Sequence, residues 1–184
     1  SNSIYNCFYK KNNIGLATAR AGNVIGGGDW GKNRLVPDIL NAIDCNHELV
    51  VRYPKATRPW QHVMEPLYGY VLLAQNNASN PNIFSEPYNF GPNTTSVVSV
   101  ERLVQLIYGC YGIKTSFSRQ KGDIVHEAQS LNLDSAKAYK KLNWMPTWSL
   151  EQTCNSIVDW HKAYKSGENM NLFTKKQISQ FLKS

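Results

Sequence analysis

The sequence predicts an α/β fold with a parallel sheet. At the N-terminal end, Ile4, Cys7 and Phe8 recur at helical spacing, and the apolar stretch IGLATARA at 14–21 reads as a buried strand. A helix that leads directly into a buried strand is typical of parallel sheets, because helical crossovers cover their faces. The rest of the chain continues to alternate short strands with helices, which favours one α/β architecture throughout.

Helical spacing of apolar residues, and capping residues ahead of them, predict the individual helices. They are expected at 34–45, 65–75, 100–111, 135–142 and 149–165, and from 174 towards the C-terminus. Ser99 and Asp134 are the expected N-caps, and SLEQ at 149–152 and TKKQ at 174–177 have capping-box spacing. Further strands are predicted in ELVVRY, PYNFG, KTSFSR and SLNLD.

Composition excludes several classes of protein. The 184 residues contain no apolar run long enough to span a membrane and no signal-peptide pattern. The cysteines are far apart and predict neither a metal site nor a disulfide framework, so reduced thiols in the cytoplasm are expected. The net charge of +7 is spread over isolated basic pairs, which are typical of solvated helix faces. A stand-alone nucleotide-binding or nucleic-acid-binding module stays an alternative, supported only by this charge and by the catalytic motifs that the sequence lacks.

A glycine-rich turn lies in the stretch AGNVIGGGDW at 21–30. A dinucleotide-binding loop needs G-x-G-x-x-G or G-x-x-G-x-x-G directly before a helix, so that backbone N–H groups reach the pyrophosphate. Gly22 and Gly26–Gly28 match neither spacing, and Asp29-Trp30-Gly31 separates them from the next helix. We therefore interpret this run as a turn and not as a dinucleotide fingerprint.

Several motifs occur together in one order: GNVIGGGDW at 22–30, RPWQHV and EPLYGY within 58–70, and YNFGP at 88–92. HEAQSLNLDSAKA at 126–138 and LNWMPTWSLEQT at 142–153 follow them. This pattern resembles the C-terminal half of the extended short-chain dehydrogenase/reductases that act on nucleotide sugars, in particular the CDP-glucose 4,6-dehydratase branch. An epimerase or another nucleotide-sugar dehydratase of the same superfamily stays the main alternative.

The resemblance implies a division of the chain. Residues 1–30 would be a residual part of the NAD-binding Rossmann domain, and 31–184 would be mostly a smaller mixed α/β substrate-binding domain, with 66–92 returning to the Rossmann sheet. The fold would thus be the C-terminal part of an extended Rossmann-type fold, holding the last strands of its parallel sheet. The five tryptophans are expected to pack in the core or at the domain junction.

Two family motifs are absent from the sequence: the G-x-x-G-x-x-G loop, and the catalytic Y-x-x-x-K pair, since no tyrosine has a lysine four positions later. We therefore expect a fragment that begins inside the catalytic helix, contains no catalytic residue and is inactive alone. NAD would be bound mainly by the missing part. The fragment would accompany that part or associate with itself, and the full-length protein would be a homodimer or larger.

In this family NAD⁺ takes a hydride from sugar C4, water leaves across C5–C6, and the hydride returns to C6. The resemblance implies a cytoplasmic lyase of deoxysugar and O-antigen biosynthesis with a CDP-sugar substrate, no metal, and no membrane or nucleic-acid partner. A diphosphate calls for guanidinium groups and amide donors. The substrate-binding residues implied are Asn23, Arg34, Leu35, Val51, Arg52, Arg58, His126 and Glu127, and Ala21 and Gly22 would approach the nicotinamide.

Most of these residues also have an ordinary structural explanation, and Arg34 would simply be an exposed arginine in the first turn of a helix. Asn23 would cap its own turn, and Arg58 would lie over Trp60. VVRY at 50–53 would be a half-buried strand and not the edge that meets a pyrimidine. His126 and Glu127 would form a surface hydrogen bond.

Overall fold

In the computed structural model, residues 2–120 and 131–184 are described, and they form a mixed α/β structure. The helices are α1 (Asn2–Ile4), α2 (Leu35–Asp44), α3 (Met64–Ser79), α4 (Pro81–Phe84), α5 (Val100–Tyr111), α6 (Ala136–Leu142), α7 (Leu150–Lys165) and α8 (Met170–Phe181). The strands are β1 (Thr18–Ala21), β2 (Asn23–Ile25), β3 (Leu49–Val51), β4 (Thr57–His62), β5 (Pro87–Phe90), β6 (Val97–Ser99) and β7 (Phe117–Arg119). The α/β class expected from the sequence is confirmed.

Parallel pairing dominates the sheets. β1 pairs with β5, β2 with β4 and β3 with β7, all in parallel, while β6 adds to β4 antiparallel. β4 is therefore the central strand of the β2-β4-β6 sheet. Its Trp60 lies beside Asn23, and its Arg58 lies opposite Val98.

The buried apolar residues form two clusters. The larger one joins α2, β3, α5 and α7, with Ile39, Leu103, Ile107 and Ile157 fully buried. The smaller one joins α3, β5 and α6 around Trp144. Gln61 links β4 to the smaller cluster, because its Nε2 donates to the Phe90 carbonyl at 2.8 Å.

Local capping signals determine where several helices begin. The Ser99 hydroxyl accepts from the Arg102 N–H, and Ser149 and Gln152 form the reciprocal capping box that SLEQ predicts. The start predicted for the last helix is wrong. Asn169 caps α8 by accepting from the two N–H groups that follow Met170, so the helix begins before TKKQ.

Two strand predictions need correction. β1 is not buried, because Ala19 and Arg20 are exposed and β1 pairs only with β5 within the described part of the chain. The described residues of SLNLD, 131–134, form no strand. There the Asn132 side chain accepts from the Leu133 N–H and the Asp134 carboxylate accepts from the Ala136 N–H, so local side-chain bonds replace strand pairing.

The glycine run packs against α7. A Cβ on Gly27 would overlap the Trp160 indole, and Gly28 has φ +78°, a conformation that glycine adopts without strain. Trp60 and Trp144 are buried as expected, but Trp30 is 57% exposed and lies beside the Tyr164 ring with centroids 5.0 Å apart. The glycine run therefore forms a turn, and its missing side chains leave space for the Trp160 indole.

Candidate functional site

A pocket of about 370 Å³ lies between β2, the start of α2, the end of β3 and β4. Strand pairing places β2 beside β4, and the start of α2, which follows β2 in the sequence, lines the same pocket. Six of the residues implied by the resemblance line this pocket: Asn23, Arg34, Leu35, Val51, Arg52 and Arg58. The fold therefore brings together four separate segments of the stretch 23–58.

Arg58 lies in the central strand and is only 4% exposed. Its Nη1 donates to the Thr57 carbonyl at 2.8 Å, which fixes the guanidinium close to its own backbone. The neighbouring Trp60 donates from Nε1 to the Val98 carbonyl at 3.2 Å, so β6 holds both the strand and its indole. A long cationic side chain is thus held in the pocket wall by a sheet and not by a mobile loop.

Arg34 stands at the N-cap position of α2, where a cation is unfavourable beside the helix dipole. A carboxylate compensates for this: Arg34 Nη1 donates to Asp29 Oδ1 at 3.1 Å and Oδ2 at 3.2 Å. Asp29 Oδ1 also accepts from the Gly31 N–H at 2.9 Å. Arg34 lines the pocket but is mostly exposed, with 68% of its side chain accessible.

A second carboxylate in the pocket is Asp38, in the first turn of α2. Partial burial raises its pKa, while the nearby Arg52 cation and a hydrogen bond from the Asn33 backbone N–H act in the opposite direction. Sequence reasoning missed both Asp29 and Asp38. Asp38 falls in the first turn of the helix predicted from residue 34, which is a usable signal, whereas Asp29 lies in the loop before that helix, where helical spacing gives none.

Ala21 and Gly22 lie at the carboxyl end of β1 and do not line the pocket. Gly22 donates its N–H to the Phe90 carbonyl at 3.4 Å, and a Cβ there would stand 2.8 Å from the Pro59 carbonyl oxygen. The close approach of β4 therefore explains why residue 22 is glycine. Both residues lie at the carboxyl end of a parallel strand, the edge of the sheet where such folds bind ligands.

At the other end of β4, the buried side chains of His62 and Glu65 and the half-buried Trp148 form a group that we call the β4–α3 junction. Glu65 is 1% exposed, and its Oε1 accepts from the Thr147 N–H at 2.9 Å and the Trp148 N–H at 2.7 Å. The His62 ring lies against the Trp148 indole with centroids 4.9 Å apart. This group attaches the segment before α7 to the start of α3.

Burial shifts the pKa values of both ionisable groups in the junction. It lowers the pKa of His62 to about 4, so this imidazole is neutral at pH 7. It raises the pKa of Glu65, which the hydrogen bonds from Trp148 and Thr147 partly offset. Sequence reasoning assigned no role to either side chain.

The remaining predicted residues, His126 and Glu127, lie outside the described residues. Within 2–120 and 131–184, His, Cys, Asp and Glu form no cluster of three or more that could hold a metal ion. No helix in that part of the chain is both long and apolar enough to cross a membrane.

Comparison with known proteins finds a strong match to a curated relative. The chain is 43% identical to CDP-glucose 4,6-dehydratase from Salmonella typhimurium over 182 residues, which is 98% of this chain and 51% of that protein. The chain belongs to the extended short-chain dehydrogenase/reductase family. The aligned part is the C-terminal half, so the chain spans about half the length of this family member.

A more distant relative is named for another nucleotide sugar. A UDP-glucose 4-epimerase from Pisum sativum is 28% identical over 63% of the chain and 32% of its own length. No protein-family model matches the sequence.

Solved structures confirm the fold. UDP-glucuronic acid 4-epimerase from Bacillus cereus superimposes with a TM-score of 0.73 at 18% identity, over 89% of this chain and 50% of that one. dTDP-glucose 4,6-dehydratase from Bacillus anthracis superimposes with a TM-score of 0.70 at 17% identity, over 91% and 51% of the two chains. The chain thus has the fold of the C-terminal portion of these Rossmann-type proteins.

Proposed function

We propose that this chain is the nucleotide-sugar-binding half of an NAD-dependent CDP-glucose 4,6-dehydratase, which converts CDP-glucose to CDP-4-keto-6-deoxyglucose and water. The observation that carries the proposal is the pocket into which Arg34, Arg52 and Arg58 converge with Asn23. The similarity to the Salmonella enzyme, at 43% identity, supports it.

The chemistry of the pocket suits a nucleoside diphosphate sugar. Guanidinium groups present planar sets of donors that match phosphate oxygens, and a helix N-terminus adds backbone N–H groups. Arg58 would hold the diphosphate from the sheet, while Arg34 would approach it from the start of α2. Val51 and Arg52 would lie along the pyrimidine, and Leu35 would cover the ribose side. The volume of about 370 Å³ is in the range of small-molecule sites.

Bound NAD would supply the hydride acceptor and donor for the reaction. Within this chain, Ala21 and Gly22 would provide backbone surface near the nicotinamide, and Asn23 would orient the sugar beside it. We assign no acid or base to this chain, so we expect it to be inactive alone. His126 and Glu127 would contact the substrate, and residues 1–30 and 66–92 would belong to the cofactor-binding domain.

The wider setting is part of the proposal. The parent enzyme would act in the cytoplasm as a homodimer or larger assembly, in deoxysugar and O-antigen biosynthesis. Neither nucleic acid nor membrane would be a partner, since the basic residues form no continuous stripe in the sequence.

The test uses the complete protein with NAD and a panel of CDP-, UDP-, dTDP- and GDP-glucose. We expect turnover of CDP-glucose to a product lighter by one water, detected by mass spectrometry, and weaker binding of the other sugars by calorimetry. Epimerised UDP-glucose with no loss of water would instead identify an epimerase and overturn the proposal.

A further inference from the structure

We infer that Asp38 selects cytosine over uracil by accepting a hydrogen bond from the exocyclic amino group of the base. The inference rests on the proposed function, because it assigns a discriminating contact within the same pocket. The proposed contact of Asp38 is with the pyrimidine, whereas the diphosphate is assigned to the arginines.

The location of Asp38 is the first argument. It lies in the first turn of α2 and lines the pocket together with Val50, Val51 and Arg52 at the end of β3. Arg52 is close enough to act on the Asp38 carboxylate through its charge. The carboxylate is therefore close to Arg52, which we assign to the side of the pocket that holds the base.

The second argument compares the two carboxylates of the pocket. Asp29 is occupied by a two-oxygen contact with Arg34 and by the Gly31 N–H. Asp38 accepts from the Asn33 N–H, and a carboxylate with about four acceptor positions has capacity for more. Of the two, Asp38 can accept from a ligand without giving up an ion pair.

The third argument is the chemistry of the bases. Cytosine presents an amino donor at position 4, whereas uracil and thymine present a carbonyl oxygen there. An ionised carboxylate accepts from the former and repels the latter, and aspartate accepts from the cytosine amino group in nucleic-acid recognition. One such contact discriminates by about tenfold to a hundredfold. A carboxylate among cations that bind phosphate is otherwise unfavourable for the affinity of an anionic ligand.

The experiment measures the ratio of CDP to UDP affinity by calorimetry in the complete protein with NAD present. These two ligands share ribose and diphosphate and differ only in the base. We expect the natural protein to favour CDP about tenfold to a hundredfold, and Asp38→Asn to bring the two affinities within about threefold, since an amide can both donate and accept. Because the ratio is internal to each variant, a general loss of stability does not change it.

Two further variants control the result. Asp29→Asn makes the same chemical change in the same pocket and should alter both affinities together, leaving the ratio unchanged. Asp38→Glu keeps a carboxylate and should retain a preference for CDP. A ratio unchanged in Asp38→Asn, or abolished equally in Asp29→Asn, would overturn the inference while CDP binding itself stayed intact. A natural protein that bound neither nucleotide would instead contradict the proposed function.

Discussion

The two ends of β4 use buried charge in different ways. Arg58 is 4% exposed near the start of the strand, and Glu65 is 1% exposed just beyond its end. Arg58 lines an open pocket beside two other arginines, whereas Glu65 gives its Oε1 to two backbone N–H groups of the segment before α7. Burial alone therefore does not identify a binding residue. A buried charge that lines a pocket can meet a ligand, whereas one that is hydrogen-bonded to the backbone serves the fold.

The largest effect is expected at the pocket end of the strand. Arg58→Ala in the complete protein should weaken CDP-glucose binding about a hundredfold or more, because it removes the buried cation that we propose binds the diphosphate. Calorimetry with CDP-glucose measures this. Arg58→Lys, which keeps the charge but not the planar set of donors, should lose about tenfold. Unchanged affinity in Arg58→Ala would show that the pocket is not the diphosphate site.

At the junction end, substitution should affect stability and not affinity. Glu65→Ala leaves two partly buried N–H groups without their acceptor and a cavity at a side chain that is 1% exposed, and should lower the free energy of unfolding by about 3 kcal/mol. Glu65→Gln keeps an acceptor oxygen and should cost less than about 1 kcal/mol. Chemical denaturation measures both values, and the CDP-glucose affinity of each folded variant should match that of the natural protein. A large loss of affinity in Glu65→Gln would contradict the distinction between the two ends.

The pH dependence of the junction provides a third test. The pKa of His62 is about 4 in the folded protein and 6.5 when unfolded, so its contribution is present above pH 6.5 and is lost as the pH falls towards 4. This shift corresponds to about 3 kcal/mol. Glu65 acts oppositely, because a raised folded pKa means that its contribution is lost as the pH rises. The measurement therefore belongs in a Glu65→Gln background, where only His62 of the pair titrates.

In that background, the free energy of unfolding should fall on acidification more steeply than in the Glu65→Gln/His62→Gln double variant. The difference between the two slopes isolates the imidazole from the other carboxylates of the chain. Equal slopes would mean that His62 is not held neutral by burial.

The smallest effect concerns the glycine run, which we assign to the framework and not to the ligand. Gly27→Ala would place a methyl group against Trp160 and should lower the free energy of unfolding by about 1–3 kcal/mol. Gly109→Ala is the matched control, because that helix position has no atom within 4 Å of an added Cβ. It should raise stability by about 0.5–1 kcal/mol. Similar effects of the two substitutions would show that Trp160 does not pack as described.

Much of the fold could be predicted because the capping residues that mark helix starts had no competing cap nearby. Ser99 and the SLEQ box marked the starts of α5 and α7. The start of α8 was missed because Asn169 offers an earlier cap, leaving the Thr174 hydroxyl to accept from Trp160. β4 was not predicted, since Pro59 lacks an N–H and argues against a central strand.

The site was predictable only in part. The resemblance indicated the arginines, but their convergence depends on β4 lying between β2 and β6, which spacing along the chain does not reveal. Asp29 and Asp38 were missed because a search for a phosphate site looks for cations. The contacts of the two carboxylates, with Arg34 for Asp29 and near Arg52 for Asp38, are visible only in the structure.

The ion pair between Asp29 and Arg34 occupies the guanidinium through Nη1 alone. A guanidinium has five N–H donors, so a phosphate can bind beside the carboxylate, but the negative charge 3.1 Å away offsets part of the attraction that a bare cation would exert. A monovalent anion therefore gains little at Arg34, whereas a diphosphate that also engages neighbouring arginines gains more. The pair would thus act as a threshold, keeping common buffer and cellular anions from accumulating at the mouth of the cleft.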